Sequence, residues 1–351
     1  MPRPDRSEDI DLALLAEVER HPRDLVRIVA DEMGLSRTAV ATRVRALIGG
    51  GFLRKQGTTR PIYRLGPSRR GFFSHIVQGL QEDQVWHRDV APLLYGLPAN
   101  VGDICQHGVT EMINNAIDHS EGTRVWVEVQ RTAEYVLLSV SDDGVGIFHK
   151  ISRALALPDE RLALLELSKG KLTTDPRRHS GEGVFFTSRM FDRFSIESRG
   201  LVFDHDDTGS HDVLMEADAM PGTAVSMKIG VDSMRVVTEV FDRFSSGPDD
   251  YDFAKTVVPV RLARMGDENL VSRSQAKRLL QRVERFRCVA FDFAGVTMIG
   301  QAFADEIFRV FANEHPEVEL VAIHATAEVQ QMIRRAEVLR DEQGGQLPLL
   351  K

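Results

Sequence analysis

Glu111, Asn115 and Asp118 are the side chains of this 351-residue chain best suited to hold a metal ion or a phosphate. Their i, i+4, i+7 spacing projects them from one stripe of a helix. The neighbouring stripe, which includes Val101, Ile104, Val109, Met112 and Ala116, is apolar and can bury against a sheet, so the polar stripe faces whatever cavity lies alongside. A carboxylate beside an amide in such a cavity suits a metal-phosphate site. The same residues would also make the solvated face of an ordinary helix.

The elements that would position this stripe follow directly. Residues 123–131 alternate Val125, Val127 and Val129 with polar residues, and 135–142 alternate Val136, Leu138 and Val140, so both read as strands of one antiparallel hairpin. The alternation carries Asp142 to the inward face at the strand's end, just before Gly144-Val145-Gly146, a turn whose missing side chains let a ligand approach the backbone. Farther on, Gly181-Glu182-Gly183 opens an apolar helical run and Pro221-Gly222-Thr223 opens another strand.

Taken together, Glu111-x-x-x-Asn115, Asp142-x-Gly144-x-Gly146, Gly181-x-Gly183 and Gly222-Thr223 resemble, in order, the conserved boxes of the GHKL ATP-binding fold of gyrase, MutL-type repair ATPases, histidine kinases and anti-sigma-factor kinases. The resemblance covers roughly residues 70–253. It implies ATP with Mg²⁺, the Asn115 amide oxygen serving as the protein ligand to the ion. It further implies that Asp142 accepts a hydrogen bond from the adenine amino group and that Thr223 supports the water beside it. Gly144 and Gly146 would let the backbone close on the base, while Gly181 and Gly183 would offer amide N–H groups to the phosphates. Glu111 would orient or deprotonate the nucleophile, either water or a protein hydroxyl. Asp118 matches the hydrolysing branch better than the lysine frequent in histidine kinases. Residues 147–180 would form a lid over the γ-phosphate, with Lys169, Lys171, Arg177 and Arg178 as candidate contacts or as solvated charges.

The chain exceeds the size of one comfortable core, so two or three domains are expected. With 42% hydrophobic and 27% charged residues, and no apolar run long enough to span a bilayer, the composition is that of a soluble protein, expected in the cytoplasm and off the membrane. Its two cysteines, Cys105 and Cys288, lie far apart in apolar segments and suggest neither a disulfide framework nor a thiolate metal site.

The net charge of −8 is unevenly spread. Ser36 to Arg70 contains no Asp or Glu but nine Arg or Lys, the footprint of a phosphate-binding surface. Residues 9–19 and 24–33 show helical spacing, Ser36 can cap a third helix over 37–48, and Gly49-Gly50-Gly51 ends it before two short strands, 52–55 and 61–65. This resembles a winged helix-turn-helix domain over 1–67. The resemblance implies double-stranded DNA as partner, with Ser36, Arg37, Thr38, Thr42 and Arg43 at the groove and Lys55 and Arg60 on the wing. A winged helix used for protein pairing would carry the same basic face.

Residues 68–98 read as a helical connector, in which His87 with Pro92 only loosely resembles a phosphoacceptor box. Asp204-His205-Asp206-Asp207 with His211-Asp212 holds metal-ligand types, but it reads as a polar hairpin turn. The nucleotide domain is assigned to 99–246. From 256 to 345, strands at 257–262, 288–293 and 318–323 alternate with helices at 272–284, 302–312 and 327–335, a small α/β layer that resembles the STAS-like fold of anti-sigma-factor antagonists. In that resemblance a phosphorylated serine would open the helix after Asp292-Phe293-Ala294-Gly295-Val296. Here no Ser or Thr stands there, and Thr297 is the nearest hydroxyl, so the domain reads as an interaction or dimerisation module.

The expected fold is thus α+β and multidomain: winged helix, GHKL α/β sandwich and STAS-like domain. The expected protein is a homodimeric DNA-binding regulator switched by ATP, with a partner protein at the STAS-like domain. A protein kinase acting on a separate protein and a nucleotide sensor without turnover are the alternatives.

Overall fold

A computed structural model describes residues 7–172, 181–206, 213–247, 250–264 and 268–344. The chain divides into two compact units, Met1–Gly144 with Ala224–Met234, and Val145–Thr223 with Arg235–Lys351.

In the first unit, α1 (Ser7–Glu17), α2 (Leu25–Met33) and α3 (Arg37–Gly49) enclose a core of Leu14, Val18, Leu25, Val29, Val40 and Val44, all essentially without solvent contact. Gly34 ends α2 in the left-handed conformation, and the Ser36 side chain accepts from the Ala39 amide, capping α3. The antiparallel hairpin β1 (Leu53–Gln56) and β2 (Ile62–Leu65) follows.

The connector is not helical at its start. Arg69–Ile76 forms an eight-residue strand, β3, paired antiparallel with β4 (Arg124–Arg131) from Arg69 opposite Arg131 to Ile76 opposite Arg124. Two adjacent phenylalanines favour extended backbone, and their alternation leaves Phe72 and Ile76 exposed while Gly71 turns inward. Helical structure begins only at α4 (Glu82–Val85), which passes through a π turn (Trp86–Val90) into α5 (Ala91–Leu94). The 21-residue α6 (Ala99–His119) packs against β5 (Tyr135–Asp142) through Val101, Ile104, Cys105, Val109, Met112 and Ala116, all buried. Burial in this apolar stripe pushes the Cys105 thiol up to about 12.

The second unit opens with α7 (Ile147–Ala154), α8 (Arg161–Lys169) and α9 (Gly183–Met190), then the antiparallel meander β6 (Arg193–Ser198), β7 (Leu201–Asp206) and β8 (Val213–Glu216). β9 (Thr223–Gly230) belongs from Ala224 onward to the first unit, where it pairs with β5. After α10 (Val237–Phe244) and the short pair β10 (Ser245–Gly247) and β11 (Asp250–Phe253), the C-terminal portion is a parallel three-stranded sheet. Its strands are β12 (Lys255–Pro259), β13 (Cys288–Asp292) and β14 (Glu319–Ile323). The crossovers are helical: α11 (Arg273–Leu280), opened by a Ser272/Gln275 capping box, and then α12 (Gln301–Asp305), a π turn (Glu306–Phe311) and α13 (Ala312–Glu314). α14 (Ala327–Gly344) follows β14. Among the described residues no helix is long and apolar enough to cross a membrane.

Candidate nucleotide site and basic face

The polar stripe of α6 stands where the spacing puts it, with differing exposure along its length. Glu111 and Asn115 are half-buried, whereas Asp118, one turn nearer the helix end, is exposed. The Asn115 amide nitrogen is buried without a hydrogen-bond partner. A buried amide group left unsatisfied costs about 1–3 kcal/mol. Because the two ends of an amide exchange by a half-turn, that position can present N–H to a phosphate oxygen or a carbonyl oxygen to a cation. The donor set therefore fits a Mg²⁺–phosphate group. His107, one turn before Glu111, extends the stripe and is held below the ordinary histidine range by burial. The i−4 spacing from Glu111 could have revealed it.

At the end of β5 the Asp142 carboxylate accepts from the Gly144 amide at 2.8 Å, which fixes its orientation. The next residue, Asp143, escaped the sequence reading. It accepts from the Thr123 amide and hydroxyl and from the Arg124 amide at 2.7–2.9 Å, and the Thr123 hydroxyl bond first of all lowers its pKa. Asp143 thereby ties the loop after β5 to the start of β4. Gly144 has its own structural cause, since a Cβ there would lie 2.1 Å from the Ser120 carbonyl oxygen.

In the second unit, Gly146 precedes α7, and the Thr223 hydroxyl accepts from the Ile147 amide at 3.0 Å. The buried Ser198 hydroxyl donates to the Gly222 carbonyl beside it. Gly183 is the first residue of α9. Gly181, at φ +74°, accepts from the Leu172 amide at 3.1 Å, and a Cβ there would meet the Leu172 backbone at 2.3 Å. Leu172 is thus joined directly to Gly181, two residues before α9.

The lid lysines are not placed as expected. Lys169 is 1% exposed; its ammonium contacts Glu166 at 2.6 Å and donates to the carbonyls of Arg278 and Gln281 at 3.0 and 2.9 Å. Burial holds its pKa below the usual lysine range while Glu166 pulls it upward. A side chain so committed is neither a solvated charge nor a phosphate contact. Lys171 lies over the rings of Phe253 and Phe286, with its ammonium 5.7 and 5.1 Å from the centroids. Arg177 and Arg178 lie outside the described residues, as do Asp207, His211 and Asp212 of the acidic segment. Its members Asp204, His205 and Asp206 belong to β7, Asp204 paired with Arg193, and among the described residues no group of three or more His, Cys, Asp or Glu is placed to hold a metal ion.

On α3, Arg37, Thr38, Thr42 and Arg45 are exposed, and the last three share one stripe at i, i+4, i+7. Arg43, expected at the groove, forms a bidentate pair with Asp11 that holds α3 to α1. On the hairpin Lys55 and Arg60 are exposed, and Arg54 stands directly opposite Arg64, both exposed. Arg69 and Arg70, the end of the basic run, lie instead on β3, where Arg70 pairs with Glu128 at 3.0 Å.

Residues 100–203 match the family model of the histidine kinase-, DNA gyrase B- and HSP90-like ATPase, and residues 275–330 match that of a STAS-like domain of unknown function, DUF4325. No curated protein matches the chain. Among solved structures, an IclR transcriptional regulator from Alicyclobacillus acidocaldarius aligns over 67% of this chain and 93% of its own, at 14% identity and a TM-score of 0.18. The chain therefore carries a GHKL-type ATPase domain, which supports ATP binding, and a STAS-like domain.

Proposed function

We propose that this protein is an ATP-binding, ATP-hydrolysing regulator whose nucleotide state controls an N-terminal DNA-binding domain. The observation that carries the nucleotide half is the buried, unpartnered amide of Asn115, one turn from Glu111 on a helix within the ATPase match. In this reading Asn115 holds Mg²⁺, which, when bound, neutralises phosphate charge and fixes its geometry. Asp142 receives the adenine amino group through a carboxylate already oriented by Gly144, with Thr223 beside the base. Gly181 and Gly183 offer amide N–H groups to the phosphates at the start of α9, Asp118 belongs to the same polar stripe as Asn115, and Glu111 orients the attacking nucleophile.

The DNA half rests on the cross-strand pair Arg54 and Arg64. Like charges directly opposite destabilise a hairpin, and an anion between them removes that cost. Together with Arg37, Thr38, Thr42 and Arg45 on the exposed side of α3, they make a face that can track a phosphate backbone. In solution the protein is expected to act as a homodimer whose STAS-like domain receives a protein partner.

The test is DNA binding by the full chain with and without ATP·Mg²⁺, on genomic fragments that include the region upstream of its own gene. A nucleotide-dependent change in affinity or footprint is expected. Absence of DNA binding in both states rejects the regulator reading and leaves phosphoryl transfer to a separate protein as the activity to assay.

A further inference from the structure

The C-terminal sheet does more than follow the nucleotide domain in sequence. Its side chains grip the segment from Glu166 to Leu172, whose last amide donates to the Gly181 carbonyl. The Thr256 hydroxyl, buried on β12, donates to the Lys169 carbonyl at 2.6 Å. The Lys169 ammonium reaches across to the carbonyls of Arg278 and Gln281 at the end of α11. In return Arg282, held at φ +65°, donates to Glu166 at 3.2 Å and to the Lys171 carbonyl. Between these contacts Gly170 is so close to Phe253 that a Cβ would lie 2.5 Å from its ring.

A second route leads to the same place. Phe185, in the first turn of α9, packs on Phe253 with centroids 4.5 Å apart, and Phe253 packs on Phe286 at 5.2 Å. The start of α9 is thereby packed, through Phe253, against Phe286 of the C-terminal domain on one side and tied by the Leu172–Gly181 hydrogen bond on the other. A buried charge with three partners and a close-packed aromatic cluster are stiff, so a movement of one partner is passed to the other.

We propose that the STAS-like domain is a working part of the nucleotide site: through Arg282 and Thr256, which hold Glu166, Lys171 and Lys169, it positions the backbone that receives the phosphates of ATP. This rests on the reading of residues 100–203 as an ATP site. Arg282 and Thr256 are positioning residues that act through Glu166, Lys169 and Lys171, and their effect falls on the phosphate tail and not on the base. A partner that docks on the C-terminal domain then changes affinity for ATP without approaching it.

Binding of ATP and of adenosine to the full chain, measured by calorimetry for the wild type, Arg282→Ala and Thr256→Val, tests this. Arg282→Ala is expected to weaken ATP about tenfold through lost preorganisation, with adenosine changed less than about twofold. Thr256→Val, which keeps side-chain shape, is expected to shift ATP in the same direction by less, and it decides the matter if Arg282→Ala does not fold. Equal loss of ATP and adenosine, or unchanged ATP binding in a folded variant, overturns the positioning role. A wild-type chain that binds neither ligand overturns the ATP site itself and this proposal with it.

Discussion

Lys169 and Glu166 face each other across one helical turn at 2.6 Å, with 1% and 2% of their side chains exposed. Two charges this deep persist only when each is fully paired, and Glu166 has Arg282 as its second partner at 3.2 Å. Glu166→Ala leaves the Lys169 ammonium with carbonyl acceptors alone. The expected loss is about 3–5 kcal/mol, the range for breaking a buried ion pair from one side. Urea unfolding followed by circular dichroism measures it. A loss below about 1 kcal/mol, the scale of an exposed pair, would show that water reaches the site.

None of this was legible in the sequence. A lysine in this stretch reads as a phosphate contact or a solvated charge, and its carbonyl partners lie 109 and 112 positions farther along the chain, while the second partner of Glu166 lies 116 positions beyond it. What was legible was local. The period-two alternation located β5 and set Asp142 at its end, and the Gly34-Leu35-Ser36 turn announced the cap of α3. β3 escaped because its pairing with β4 is non-local, while its own sequence, two arginines, a glycine and two phenylalanines, has no clean alternation. Asp143 escaped because strand alternation singles out Asp142 and says nothing of the loop that follows.

In the proposed site Asp142 serves nucleotide binding and Glu111 serves turnover, so substitutions at the two should separate these properties. Asp142→Asn replaces an acceptor-only carboxylate with an amide that can present a donor to the adenine amino group. Loss of ATP binding by at least about tenfold is expected, since an unpaired buried polar contact costs about 1–3 kcal/mol. Glu111→Ala should leave ATP affinity within about twofold while lowering turnover by about 100-fold or more, the contribution of a positioned general base. Steady-state phosphate release beside equilibrium binding distinguishes the two. An unchanged hydrolysis rate in Glu111→Ala removes it from the catalytic role.

On the basic face, stability and binding should move in opposite directions. Arg54→Ala relieves the cross-strand repulsion with Arg64, so the N-terminal domain should unfold at slightly higher temperature while DNA binding weakens. The slope of log affinity against log salt should fall by about one for a lost phosphate contact. Arg43→Ala differs in kind, because its guanidinium holds Asp11 on α1, and its main effect should be a lower melting temperature. Equal salt slopes for wild type and Arg54→Ala would remove the hairpin from the interface.

His107 gives the fold a pH dependence whose sign follows from burial. Its folded pKa lies below the ordinary value, so the unfolded chain, with a histidine pKa of about 6.5, takes up a proton that the folded chain refuses. Below that pH the unfolded state binds more protons and stability falls as acid is added; above it the contribution is constant. His75 is lowered too, chiefly by burial, with Asp89 opposing, and adds to the same slope. The melting temperature should therefore be level above about pH 7 and decline from about 6.5 downward. His107→Gln, which cannot titrate, should flatten that decline in part, leaving the share due to His75. Parallel curves for variant and wild type from pH 7.5 to 5 would mean that the His107 ring takes up its proton within the folded chain at no cost.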